Sequence, residues 1–194
     1  HVPPTGDLVF DGQWEARLGP ELRLRAALSR ASGDINLLAE TAEGTPVRVT
    51  AGIREARLAL DSNGDTVNLN LRWDSERAGT LDGQLSSPLA RGGAAGWRWP
   101  AQAPLSGRLQ ARLPRMAVWS LLAPPGWRIR GSLEADLTVD GTKADPQLRG
   151  PLRADDLGLR SVVDGVALQE GRLRARLETQ RLIIDELVLQ GAAG

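Results

Sequence analysis

Few residues in this sequence could do covalent chemistry. The chain has one histidine, His1, and no cysteine. Ser–His or Cys–His catalysis needs a base within hydrogen-bond reach of the nucleophile, and the body of the chain has no such base. Disulfides and thiolate metal sites are excluded. DSNGD at Asp61–Asp65 spaces its oxygens like a calcium loop. It lacks the glycine position and the closing glutamate of an EF-hand, so Asn63-Gly64 reads as a hairpin turn. Asp155 and Asp156 are adjacent carboxylates. An acid–base pair must converge on one substrate, whereas neighbours on a strand point to opposite faces. They read instead as a β-bulge that keeps Leu152, Ala154, Leu157 and Leu159 on one face. Trp97 and Trp99 flank Arg98 in GWRWP and could stack bases. With 24 basic against 24 acidic residues there is no net charge to attract a polyanion. That balance places both rings in an apolar layer, with Arg98 in water. No P-loop or dinucleotide fingerprint occurs. The chain reads as a non-enzyme that needs no cofactor or metal and binds no nucleic acid.

What remains is pattern. The dominant period is two: Val67, Leu69, Leu71 and Trp73 alternate with polar residues. So do Leu22–Leu28, Leu105–Leu113 and Leu133–Val139. Strict alternation marks strands with one apolar and one wet face. Arginines alternate with acids on the wet face and read as cross-strand pairs. One phrase recurs: GQWEARL at Gly12–Leu18, GRLQARL at Gly107–Leu113, GSLEADL at Gly131–Leu137, GPLRADDL at Gly150–Leu157 and EGRLRARL at Glu170–Leu177. The spacing of its last four glycines fits one two-stranded hairpin per repeat. Turns punctuate the strands at 61–65, 90–96, 140–146 and 163–166. Only PRMAVWSLLAPPGW at Pro114–Trp127 breaks the period and predicts one short helix over 114–123. Residues 1–194 read as a single β-rich domain, an antiparallel meander. The closing GAAG stands where another strand could begin, so the chain reads as a piece of a longer protein.

No run of helices is available to cover so much apolar sheet. The sheet must close onto itself in a dry sandwich or barrel core, or curl into a trough whose apolar inside stays open. Periodicity alone favours the dry core. Two details pull toward the trough: scarce aromatics (one Phe, no Tyr) and the Ala and Gly interspersed among the leucines. A membrane barrel needs strands of about 9–11 residues and aromatic girdles. These strands read as mostly shorter, and charges run throughout the wet face.

The segment 105–194 resembles the C-terminal region of the TamB family. The likeness lies in the order Gly-x-Leu-x-Ala-x-Leu, a Gly-Thr turn, Pro-Gln-Leu-x-Gly-x-Leu, Asp-Gly-Val-x-Leu-x-x-Gly-x-Leu and a closing Leu-x-Leu-x-Gly, with LPRMAVWSLLAPPGW before it. Residues 1–104 match in character more than in motif. The resemblance implies a U-shaped, taco-like sheet with an apolar interior, in a protein of the Gram-negative periplasm anchored in the inner membrane. It implies transport of phospholipid toward the outer membrane. It implies a TamA-like Omp85 barrel as partner, and alternatively a scaffold role in assembling outer-membrane proteins. On this reading acyl chains would lie against Leu105, Leu109, Leu113, Leu133, Leu137, Val139, Leu148, Leu152, Leu173, Leu177, Leu182, Ile184, Leu187 and Leu189.

Overall fold

A computed structural model describes residues 5–19, 21–40, 46–92, 96–117, 126–161 and 164–191. The alternating segments fold as strands throughout. The strands are β1 (Thr5–Gly6), β2 (Val9–Leu18), β3 (Leu22–Ser32), β4 (Ile35–Glu40), β5 (Pro46–Thr50), β6 (Ile53–Asn63), β7 (Thr66–Ser75) and β8 (Gly79–Pro88). They continue with β9 (Ala90–Arg91), β10 (Trp97–Arg98), β11 (Ser106–Leu113), β12 (Trp127–Gly141), β13 (Pro146–Ser161), β14 (Val166–Thr179) and β15 (Arg181–Gly191).

Ten of these form one antiparallel sheet, ordered β15-β14-β13-β12-β11-β8-β7-β6-β3-β2. At ~4.8 Å per strand the stack is about 43 Å long. It is an open, curled meander. β2 and β15 are its two edges, and they do not meet to close a barrel. Two connections leave the meander. Between β3 and β6, β4 and β5 form a small sheet with β1, in the order β1-β4-β5, and between β8 and β11, β9 pairs with β10.

Three expectations need correction. The repeat glycines Gly107, Gly131, Gly150 and Gly171 fall on β11, β12, β13 and β14. One repeat is therefore one long strand plus its turn, not a two-stranded hairpin. Second, the strands are not short: in the main sheet only β11, with 8 residues, is shorter than ten, and β13 reaches 16. Strand length therefore gives no argument against a membrane barrel. Third, the β6–β7 turn is made by Gly64 and Asp65, because Asn63 still pairs with Thr66. Met116 and Ala117 take 3-10 geometry. The rest of the helix expected over 114–123 lies outside the described residues.

The core is small. Among the described residues, seven of the eleven buried apolar ones are alanine, namely Ala51, Ala56, Ala78, Ala103, Ala135, Ala154 and Ala175. The leucine rows are only half-buried. A dry sandwich would bury them, so the sheet does not close its apolar face against a second large layer. Accessible surface agrees: the chain exposes 12279 Å². A compact fold of 20.8 kDa would expose about 8,900 Å².

Candidate functional site: the apolar face of the open sheet

Directly opposed residues of an antiparallel pair share a face, so the register traces the apolar rows across strands. One runs Ala56–Trp73–Leu81–Ala111–Ala135–Leu152–Ala175–Ile184. Another runs Gly12–Leu28–Leu58–Leu71–Gly83–Leu109–Leu137. Leu113, Leu133, Ala154, Leu173 and Leu187 make a third. The expected positions thus share one face. Leu105 differs from the others in being buried, with its N–H donating to the Gly141 carbonyl at 3.0 Å.

Bulges keep the rows aligned. The β13–β14 register shifts between Ala154 and Leu157, which accommodates Asp155 and Asp156 as predicted. Asp156 has φ 53°. Glu170 on β14 repeats the device at φ 52°, where the β14–β15 register shifts between Gln169 and Arg172. On β15 the register shifts beside Asp185, so Leu182 and Ile184 stay on the side of Leu187 and Leu189. Each extra residue restores the alternation that the pleat would otherwise lose.

Glycines on this face permit close strand approach. A Cβ on Gly171 would stand 2.6 Å from Leu189 Cδ2 and 2.7 Å from Leu157 Cβ. Gly150, at φ 144°, would drive a Cβ into the Asp136 carbonyl. Small residues on one face let the sheet coil toward it.

The opposite face is wet and ion-paired. Arg112 reaches Asp136 at 3.2 Å, Arg174 reaches Asp155 at 2.7 Å and Arg54 reaches Asp74 at 2.6 Å. A concavity of ≈650 Å³ on this face is bordered by Glu55, Arg57, Arg72, Asp82, Arg108 and Gln110. Arg72 pairs there with Asp82 and Glu55, so ion pairs lie across its lining. A coiled sheet is saddle-shaped, which makes each face concave along one direction.

Both ends of the strands over β6–β8 carry cover. At one end Leu8, Ile35, Val49 and Trp73 pack on Ala51, Ile53, Ala56 and Ala78. Ser75 Oγ locks that end by donating to the Ala51 carbonyl at 2.5 Å and accepting from the Ala78 N–H at 3.0 Å. At the other end Trp99 Nε1 donates to Ser87 Oγ at 2.8 Å. Lys143 Nζ lies 4.9 Å from the Trp99 ring. Trp97 turns elsewhere: its Nε1 donates to the Gly19 carbonyl at 3.3 Å, under Arg91. The two rings therefore do not share one apolar layer as expected, and Trp99 is 44% exposed.

The repeated phrase did not mark Leu58, Leu60, Leu69, Leu71 and Leu85, which lie on the same face. The alternation of Val67–Trp73 was their signal. Among the described residues no cluster of His, Cys, Asp or Glu could hold a metal. No protein-family model, curated protein or solved structure matches the chain.

Proposed function

We propose that this chain is a non-enzymatic segment of a TamB-like protein that shelters phospholipid acyl chains in the Gram-negative periplasm. It would carry them between an inner-membrane anchor and a TamA-like Omp85 partner in the outer membrane. The observation that supports this most is the continuous apolar face, carried across ten strands and left half-exposed. Each acyl CH₂ moved from water onto such a face gains ~0.8 kcal/mol, without any directional contact. Rows of near-equal leucines offer many similar positions, which favours sliding over capture. Headgroups would stay in solvent at the open mouth.

A photo-crosslinker placed at Leu137 or Leu177 of the full-length protein in cells should capture phospholipid. The same group at Glu134 or Arg174, on the wet face, should not. Capture confined to the wet-face positions would overturn the proposal.

One observation favours a second reading, a scaffold for strands of outer-membrane proteins. β15 is an open edge on which Leu182, Ile184 and Leu187 are each just over half exposed. Such an edge can accept an added strand. Crosslinks from β15 to unfolded barrel peptides, with no lipid at Leu137, would select it.

A further inference from the structure

The apolar face has a margin at each set of strand ends, and the two margins differ in chemistry. On one side its last row runs Leu69–Leu85–Gly107–Val139–Leu148. One pleat further out, Ser87 Oγ accepts a hydrogen bond from Trp99 Nε1 at 2.8 Å, which sets the indole at this margin with 44% of the residue exposed. Lys143, in the β12–β13 turn, is the only lysine of the chain. Its Nζ lies 4.9 Å from the Trp99 ring and donates to the Trp99 carbonyl at 3.1 Å. An ammonium has three N–H donors, so two remain. Among the described residues no carboxylate forms an ion pair with it. At the opposite strand ends, the cover over β6 brings the aliphatic side chains of Leu8, Ile35 and Val49 instead.

We infer that Lys143 and Trp99 form a station for the phosphate of a phospholipid headgroup at this margin. The inference rests on the lipid reading above. A lipid whose chains lie on Leu85 and Val139 must place its glycerol where the apolar row ends and its phosphate where water begins. Along that path the protein offers an aliphatic row, then an indole, then an ammonium. An indole suits the boundary, because its body is apolar and its N–H polar. A lysine suits a passing phosphate, because a point charge on a flexible stem imposes no bidentate geometry. One exposed ion pair changes affinity by at most about fivefold, so the station sets the side on which headgroups travel without stopping the slide. Backbone bonds hold the turn independently of the ammonium: Lys143 N–H donates to the Ala103 carbonyl at 3.0 Å, and Ala144 N–H to the Ala101 carbonyl at 2.9 Å. Replacing the lysine side chain therefore leaves the turn in place.

The test uses the full-length protein with a photo-crosslinker at Val139 or Leu137, mixed with phosphatidylethanolamine or with diacylglycerol of the same chains, each in a nonionic detergent. Lys143→Gln should lower phosphatidylethanolamine capture about two- to fivefold and leave diacylglycerol capture unchanged. Lys143→Arg, which keeps the charge, should restore it. Excess inorganic phosphate at constant ionic strength should not compete, because without acyl chains a single exposed ion pair holds it. Competition would assign the site to free phosphate and overturn the headgroup station. Equal loss of both lipids in Lys143→Gln, or loss of neither, would also overturn the station and leave the lipid reading standing. Capture of neither lipid at either position in the protein with Lys143 intact would remove the lipid reading and the station together.

Discussion

Arg176 on β14 grips Asp185 on β15 with both arms of its guanidinium: Nε and Nη2 each donate to a carboxylate oxygen at 2.9 Å. Asp185 stands beside the register shift of β15, so this fork fastens the irregular residue to its neighbour strand. Arg174 reaches Asp155, at the bulge of β13, with Nη2 alone at 2.7 Å, while its Nη1 donates to the Ala154 carbonyl at 3.1 Å. Charge on the wet face thus pins the irregularities that keep leucine on the apolar one. A bidentate pair fixes geometry as well as charge, which suits it to that task.

This pairing sets an acid limit on stability. The hydrogen bond from Arg176 holds the Asp185 carboxyl below its ordinary value of 3.8, and Arg54 does the same for Asp74. A depressed carboxylate contributes stability that is fully present above its unfolded pKa and lost as pH falls through the lower folded value. Thermal unfolding temperature should be level from neutral pH to about 5 and should fall below about 4. The D74N/D185N double variant should start lower and lose less over that acid range. Parallel curves for wild type and double variant would show that neither pair contributes.

Deleting Asp185 should do more than removing its charge. Without the extra residue, Leu182 and Ile184 must turn to the wet face or slip by one register. Both are 53% exposed, so the loss should be about 2 kcal/mol in total. Hydrogen exchange should report unprotected amides over Arg181–Ile184 in the deletion. Asp185→Ala keeps the residue count and should keep the protection.

Gly150 and Gly64 separate crowding from backbone conformation alone. Both have positive φ, at 144° and 64°. Nothing lies within 4 Å of a Cβ on Gly64, whereas the Asp136 carbonyl blocks one on Gly150. Gly64→Ala should cost about 1 kcal/mol. Gly150→Ala should cost more than about 2 kcal/mol, since strain and close approach add. Urea denaturation of the two variants checks this, and equal costs would refute strand crowding on the apolar face.

Ser75 offers a test of the small sheet. Its buried hydroxyl serves the Ala51 carbonyl and the Ala78 N–H together. Ser75→Ala leaves both without that partner, a cost of about 2–3 kcal/mol. Exchange should rise first over β5 and the 76–78 turn, ahead of β12–β14. Uniform loosening of the whole sheet would show that the small sheet is no separate element.

Alternation made the ten-stranded face legible before any coordinates, and Asp155-Asp156 announced its own bulge. Repeat spacing was harder to interpret. Nineteen to 24 residues suit two ordinary strands, and nothing local says that β12 and β13 run to 15 and 16 residues. The small sheet was equally hidden. INLLAE and PVRVT look like strands, but period two does not say which strand each will pair with. Trp99 misled because a ring two residues from Trp97 shares its face only while the strand continues, and β10 stops at Arg98. The edge residue Trp14, 82% exposed, sits in the copy of the phrase that lies on the edge strand β2.

Leu177→Asp bears most directly on function. Leu177 is half-buried, opposite Gly150 on β13 and Leu182 on β15. Since the side chain is only partly covered, its loss should cost about 1 kcal/mol, well short of the 2–5 kcal/mol of a closed core. A carboxylate there keeps access to water in the empty groove, so the sheet should still fold. With an acyl chain in place the same carboxylate would be stripped of water, and burying an unpaired charge is far costlier. Binding should therefore fall much further than stability does. Leu177→Ala should lose only contact area and bind nearly normally. Thermal unfolding measured beside lipid capture at Leu137 separates the two effects. Equal capture by the Ala and Asp variants would mean that acyl chains do not lie on this face.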